Sequence, residues 1–376
     1  MRIRYLVLAL ILLLPPPVRA GSVTHVIHIS VDGLPAGLLH DLLANDSAGD
    51  FANFQRFVDE GATTFNARAD HGNTTTLPNH TTMVTGRPVI LVGRQPNTIE
   101  HGYIGNDMPD FDETLHNAGN AYLGYVASVF DVVHDHGLST ALYVSKSKFC
   151  LIDQTYNGAP NLTGPIADSN KIDSFVTLAG GSPATASDLN AAYLADLAVE
   201  HFGYTLLHYR DPDTVGHLIG WGTDDWNDSV AAVDRYLGSL FKLIQRDPVL
   251  AGHTAIILTS DHGGSGIHHR DPTLPAHYTI PFFVWGPEVE AGADLYELNR
   301  RSRTNPGTDR PDYLSPDQPI RNGDAANLAL NLLGLGPIPG SFINATQNLV
   351  VPEPGCVSLL LAGAALLGAR RRRTRD

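Results

Sequence analysis

Short apolar runs and helically spaced apolar stripes alternate along most of this chain. Residues 23–31 read as a strand, 51–60 as a helix, 126–136 as a helix and 140–145 as a strand. Within 186–200, Leu189, Tyr193 and Leu197 share one helical stripe, and the run 204–209 follows as a strand. Residues 224–245 align Val230, Val233, Leu237, Leu240, Phe241 and Ile244 on one face and hand over to a strand at 254–258. The last third gives a strand at 278–285, stopped by Gly286 and Pro287, and a helix at 324–333 closed by Gly334. This alternation predicts an α/β fold with a mostly parallel central sheet and helices on both faces. The Gly-, Asn-, Pro- and Asp-rich stretches 88–112 and 153–183 read as loops over a site.

The ends depart from this pattern. Arg2 and Arg4 precede an apolar run over 5–14, and Val18-Arg19-Ala20 places small residues where a signal peptidase reads, so residues 1–20 are predicted to be a secretory signal. A membrane span needs about 20 apolar residues; this run is shorter and is broken by Pro15 to Pro17. At the other end, Val351-Pro-Glu-Pro354 precedes a mostly apolar stretch over 355–369 and the block Arg370 to Arg373. This resembles the PEP-CTERM sorting tail of Gram-negative bacteria. The resemblance implies recognition by an exosortase, cleavage near the motif, and export to the cell surface, outer membrane or extracellular matrix. A marginal apolar span stopped by arginines acts as a transient membrane anchor, a permanent tail being the alternative. The chain then divides into a signal (1–20), one folded unit (21–350) and a tail (351–376).

Removing residues 1–20 and everything after Pro354 lowers Lys+Arg from 25 to 17 and Asp+Glu from 39 to 38, which takes the net charge from −14 to −21. Such a surface repels nucleic acid polymers, whereas bound metal ions can still draw in small charged substrates. Cys356 leaves with the tail, so Cys150 stands alone, without an internal disulfide, and reads as a small core residue.

The candidate chemistry gathers at strand ends. Asp32 closes the first strand, Asp213 and His217 follow the strand 204–209, and Asp261-His262 follows the strand 254–258. On a helical turn Asp213 and His217 share a face, where a carboxylate oxygen and an imidazole nitrogen can hold one divalent cation. Gly263 and Gly264 are expected to let the backbone turn closely around an ion. Helix caps and Asp-Gly turns explain each signal taken alone. In an open α/β sheet, however, the carboxyl ends of strands face one crevice, so together these residues supply ligands for two metals. Two ions about 3.5–4 Å apart can clamp the attacking and substrate oxygens of an in-line displacement. Thr74-Thr75-Thr76-Leu77-Pro78-Asn79-His80 offers the hydroxyl nucleophile, Asn79 being expected to cap a helix running through Met83 and Val84.

These motifs resemble the type I phosphodiesterase/nucleotide pyrophosphatase branch of the alkaline phosphatase superfamily. Thr76-Leu77-Pro78-Asn79-His80 is similar to its Thr-Phe-Pro-Asn-His, Pro212-Asp213 with Gly216-His217 and Gly220 to its Pro-Asp-x-x-Gly-His-x-x-Gly, and Asp261-His262-Gly263 to its Asp-His-Gly. His101-Gly102-Tyr103-Ile104-Gly105-Asn106 resembles the segment whose Asn faces the phosphoryl group. The resemblance implies an alkaline phosphatase-like fold and two Zn2+ ions, other divalent metals being possible. One ion would be held by Asp213, His217 and a later His, the other by Asp32, Asp261 and His262. Thr76 would be the nucleophile facing both, and Asn106 would steady a non-bridging oxygen. For the later His, His269 gives the nearest echo of the family's His-Gly-x-Asp setting; His277 is second, and His268 lies beside it. The implied activity is hydrolysis of a small phosphate ester, a phosphodiester or nucleotide pyrophosphate. A phosphomonoesterase, a phosphonate hydrolase and a catalytically silent surface matrix protein are the alternatives. Tyr103, Phe149 and Tyr156 are candidates to stack a nucleobase, and Lys146 and Lys148 to meet a terminal phosphate.

Overall fold

The computed structural model describes residues 23–93, 97–158, 170–178 and 184–351; the predicted signal, and the sorting tail apart from Val351, lie outside the described residues. Eight strands form one sheet: β1 (His25–Val31), β2 (Ala62–Arg68), β3 (Thr140–Val144), β4 (Ser174–Thr177), β5 (Tyr204–Tyr209), β6 (Thr254–Thr259), β7 (Thr279–Trp285) and β8 (Ala293–Asp294). Their order is β4-β3-β5-β1-β6-β7-β2-β8. From β4 through β6 every neighbour is parallel, and β7 alone runs against its partners β6 and β2.

β1 sits at the centre and is buried along its whole length. Its alternation splits the core: Val26 packs on one face of the sheet, while Ile27, Ile29 and Val31 pack on the other. The first face is covered by α3 (Thr76–Thr85) and the helices Val129–Asp135 and Asp324–Leu332. The second is covered by α1 (Ala36–Ala44), α2 (Ala52–Glu60) and the helices Ala186–Glu200 and Asp224–Arg246. The predicted mostly parallel sheet with helices on both faces is thus the observed one.

One expectation changes, and two strands appear that the sequence pattern did not mark. The stretch 153–183 was expected to be loop, but it contains the end of a helix, Cys150–Asn157, and the edge strand β4; 159–169 and 179–183 lie outside the described residues. β4 pairs with β3 in parallel, a partnership that its four residues do not signal on their own. β2, pinned between β7 and β8, was likewise unmarked, because Thr63, Thr64 and Asn66 break its apolar run. No helix among the described residues is long and apolar enough to cross a membrane. Cys150 is a free, half-buried thiol whose pKa burial pushes up.

Candidate active site

Neighbouring strands β3, β5, β1 and β6 run parallel and end together, and four polar groups follow directly: Lys146, Asp213, Asp32 and Asp261. Gly33, with φ of +69°, turns the chain at the end of β1 so tightly that a Cβ there would lie 2.9 Å from Asp213 Cα. This close approach seats the helix Asp211–Ile219 on the end of β1. Asp213 and His217 do share one helical face, with Asp213 Oδ1 3.4 Å from His217 Nε2.

Each of the three carboxylates is held by one oxygen and presents the other. Asp32 Oδ2 accepts from His208 Nε2 at 2.9 Å and pairs with Lys146 Nζ at 2.6 Å. Asp213 Oδ2 accepts from the same ammonium at 2.6 Å. Asp261 Oδ1 accepts from the backbone N–H of His262 (2.9 Å) and Gly33 (3.2 Å). The remaining oxygens, Asp32 Oδ1, Asp213 Oδ1 and Asp261 Oδ2, are buried without a hydrogen-bond partner, as is His262 Nε2. These atoms face one another, His262 Nε2 lying 3.2 Å from Asp261 Oδ2, 3.5 Å from Asp32 Oδ1 and 4.0 Å from Asp213 Oδ1.

The three histidines repeat a single arrangement. Nδ1 of His262, His269 and His217 meets the backbone carbonyl of Gly263 (2.7 Å), Thr74 (2.5 Å) and Ile267 (3.0 Å) respectively. A carbonyl only accepts, so Nδ1 carries the proton and the Nε2 lone pair of a neutral ring points into the site. Burial holds His262 and His269 neutral, the latter's pKa being lowered to about 2. His269 Nε2 stands 3.0 Å from His217 Nε2 and 3.8 Å from Asp213 Oδ1. Asp32, Asp261 and His262 thus form one group of donors, and Asp213 forms another with His269 and His217; His262 also lies close enough to Asp213 and His269 to serve that second group. His277 stands apart, its Nε2 against Ser265 Oγ (2.8 Å) and its Nδ1 against the Asp271 carbonyl (2.9 Å).

Thr76 opens α3 and is buried beside this group, its Oγ1 3.4 Å from Lys146 Nζ. Its motif neighbours lock it in place. His80 bridges Ser30 Oγ (2.8 Å) and the Thr76 carbonyl (2.8 Å). Asn79 is not the expected helix cap, which is Thr75 in extended conformation. It lies inside the first turns, where its amide donates to the Asn73 and Thr75 carbonyls and its Oδ1 accepts from Asp70 N–H and Asn322 Nδ2. Gly263 and Gly264 also differ from expectation: a Cβ on Gly263 would strike the Ala276 carbonyl at 2.1 Å and one on Gly264 the Trp221 ring at 2.2 Å. Close packing of the loop, rather than wrapping of an ion, requires them.

Asn106 reaches the start of α3. Its Oδ1 accepts from Leu77 N–H (3.0 Å) and Lys148 Nζ (3.0 Å), which leaves the Nδ2 end to donate. The aromatic candidates do not line the site: Tyr103, Phe149 and Tyr156 belong to the core, and Phe149 packs 4.6 Å from His80 and 4.5 Å from His208, centroid to centroid. Lys146 is the residue whose centrality the sequence conceals. Burial disfavours its charge, but Asp32, Asp213 and Asp261 outweigh this and raise its pKa. Burial, and then Lys146, lower the pKa of Lys148 to about 8. Asp32 stays well below the ordinary carboxylate value because Lys146, His208 and His262 more than offset its burial, whereas burial and then Asp32 raise Asp261 well above it.

A mostly parallel sheet whose strand ends bring carboxylates and imidazoles together beside a buried threonine is an alkaline phosphatase-like fold. The sequence profile of the type I phosphodiesterase / nucleotide pyrophosphatase family matches residues 26–281, and the chain belongs to that family. It is similar to ectonucleotide pyrophosphatase/phosphodiesterase family member 7 of Rattus norvegicus, with 30% identity over 86 residues, a match that spans 23% of this chain and 19% of that protein. Among solved structures, murine ectonucleotide pyrophosphatase/phosphodiesterase 5, in an inactive variant complexed with AMP, aligns with 87% of this chain and 100% of its own at TM-score 0.57 and 15% identity. A protein of the alkaline phosphatase superfamily from Vibrio parahaemolyticus (TM-score 0.52, 15% identity, 85% of this chain and 68% of that one) is also similar. So is the lipoteichoic acid synthase LtaP from Listeria monocytogenes (TM-score 0.56, 13% identity, 88% and 76%). At these identities the structural likeness speaks for the fold.

Proposed function

We propose that the chain is an exported two-metal phosphohydrolase, a phosphodiesterase/nucleotide pyrophosphatase that acts through a phosphothreonine on Thr76. The observation that carries this reading is the convergence of Asp32 Oδ1, Asp213 Oδ1, Asp261 Oδ2 and His262 Nε2, all buried without partners, with the facing lone pairs of His217 and His269. A buried polar atom left unpaired costs about 1–3 kcal/mol, and two imidazole lone pairs 3.0 Å apart repel. Divalent cations satisfy all of these atoms, and a mixed imidazole and carboxylate set suits zinc. Asp213, His217 and His269 would hold one ion, and Asp32, Asp261 and His262 the other. Three carboxylates and a threonine alkoxide formally balance two divalent charges. Bound there, the ions would supply Lewis acidity that lowers the pKa of the Thr76 hydroxyl and draws charge from substrate oxygens.

The residues do the rest. Thr76 Oγ1 loses its proton to solvent and attacks phosphorus, and the ester bond breaks with its electron pair moving to the leaving-group oxygen, which takes a proton from water. Water then attacks the phosphothreonine, its proton passing to solvent, and the bond to Thr76 Oγ1 breaks with its electron pair staying on Oγ1, which is reprotonated from solvent as a phosphate monoester is released. Thr76 occupies the first position of the ten-residue helix α3, whose N-terminal dipole favours the anionic oxygen. With its Oδ1 taken by Leu77 N–H and Lys148, Asn106 would use Nδ2 to donate to a non-bridging oxygen as charge develops, as an oxyanion donor does. The AMP bound to the murine relative, inactivated by a threonine-to-alanine change, supports a nucleotide-type substrate and a threonine nucleophile. The test is Thr76→Ala on a chromogenic phosphodiester, with acid-quenched wild type examined by mass spectrometry for a phosphoryl adduct on Thr76. Full activity in the variant would sink the assignment.

The signal at 1–20 and the tail at 351–376 support export, with an exosortase as partner and the tail as transient membrane anchor. Fractionation of cells expressing the whole chain or a chain cut after Pro354 tests this; equal retention in the cytoplasm by both would overturn it.

A further inference from the structure

Lys146 leaves β3 and enters the one place where all the reacting parts meet. A single ammonium lies 2.6 Å from Asp32 Oδ2, 2.6 Å from Asp213 Oδ2 and 3.4 Å from Thr76 Oγ1. Its two carboxylate partners belong to different donor groups, so one charge ties both groups together and fixes each carboxylate with its other oxygen turned inward. Phe149, the last residue of the 3-10 turn Ser147–Phe149, is packed into the core three residues after it and anchors the segment that carries the lysine.

We propose that Lys146 is a catalytic residue: its ammonium supplies the fixed positive charge that favours the Thr76 alkoxide and then meets a non-bridging oxygen of the transferred phosphoryl group. This rests on Thr76 being the nucleophile of a two-ion centre. A phosphorus atom bonded to Thr76 Oγ1 carries oxygens within hydrogen-bond reach of a donor that lies 3.4 Å from Oγ1. Lys146 gives up no proton: the hydroxyl proton of Thr76 leaves to solvent, the new P–O bond forms at Oγ1, and the ester oxygen departs with its electron pair. The charge sum points to a substrate class. Two divalent ions, three carboxylates and the alkoxide come to zero, and Lys146 adds one positive charge to the phosphoryl pocket. That matches the single negative charge of a phosphodiester. Lys148, spent on the Oδ1 and carbonyl of Asn106, is left out of this sum.

The test uses zinc-loaded protein carrying Lys146→Met or Lys146→Arg, with three readouts: zinc per chain, turnover of a chromogenic phosphodiester, and affinity for inorganic vanadate by calorimetry. The expected result for Lys146→Met is zinc content like wild type, kcat lower by about 100-fold, as for loss of one oxyanion donor, and vanadate affinity lower by at least 10-fold. Lys146→Arg should restore part of both losses. Turnover within about threefold of wild type in Lys146→Met would overturn the proposal. So would loss of zinc in proportion to activity with vanadate affinity per bound zinc unchanged, which would make Lys146 a positioning residue only. If Lys146→Met does not fold, Lys146→Gln replaces it under the same criteria. Failure of the underlying reading looks different: wild type without zinc, or Thr76→Ala fully active.

Discussion

Replacing Gly33 by Ala should uncouple the two halves of the site. The native φ of +69° lies in the left-handed region, which costs a residue with a Cβ about 1–2 kcal/mol. The added methyl would also stand 2.9 Å from both Cα and Cβ of Asp213, inside ordinary contact, so the helix Asp211–Ile219 must move off β1. Overpacking of this kind costs about 1–3 kcal/mol. Together these give a destabilisation of about 2–5 kcal/mol. Asp213 moves with its helix, and a misplacement on the order of 1 Å is worth about 100-fold in rate. Gly37 is the control: it lies within α1, has nothing within 4 Å of its Cβ position, and should gain about 0.5–1 kcal/mol on changing to Ala. Urea denaturation and kcat/KM on a phosphodiester, measured for both variants at fixed zinc, separate the effects. A Gly33→Ala protein as stable as wild type and more than half as active would refute the claim that the close approach of Gly33 sets the position of Asp213.

Three further outcomes follow from the geometry. His269→Ala should lower bound zinc by about one ion per chain, whereas His277→Ala should leave it intact, because both nitrogens of His277 are engaged by Ser265 and Asp271; metal analysis of the two variants decides. Asn106→Ala should reduce kcat about 100-fold with zinc content unchanged, and equal turnover on a phosphodiester would remove Asn106 from the mechanism. Burial depresses the pKa of His28 from an ordinary 6.5 to about 3, so the neutral ring contributes stability that is fully present above pH 6.5 and lost as pH falls toward 3. Between pH 7 and pH 5 that loss is about 2 kcal/mol. His28→Asn can keep a partner for the Tyr204 hydroxyl, which lies 3.0 Å from His28 Nδ1, and does not titrate, so its stability should fall by about 2 kcal/mol less over this interval. Identical pH dependence in urea titrations would count against it.

The sequence by itself determined the fold class and most of the site. Period-2 and helical apolar patterns are local, so the central strands and the long helices were legible from residue spacing, as was the pairing of Asp213 with His217 across one turn of helix. Asp32 and Asp261-His262 were legible because strand ends in a parallel sheet face one crevice. What depends on the meeting of distant segments was decided only by tertiary structure. His269 rather than His277 approaches Asp213 because Thr74, 195 residues away, anchors its ring. β2 and β4 exist through their partners, because a short strand with a broken apolar run gains its hydrogen bonds from neighbours rather than from its own pattern, and the apolar run of β7 does not encode its antiparallel direction. Lys146 reads in sequence only as a lysine after a strand that could meet a terminal phosphate. It becomes the common partner of Asp32, Asp213 and Thr76 only when three strand ends and the start of α3 are folded against one another, since electrostatic partners act through space and leave no periodic trace along the chain.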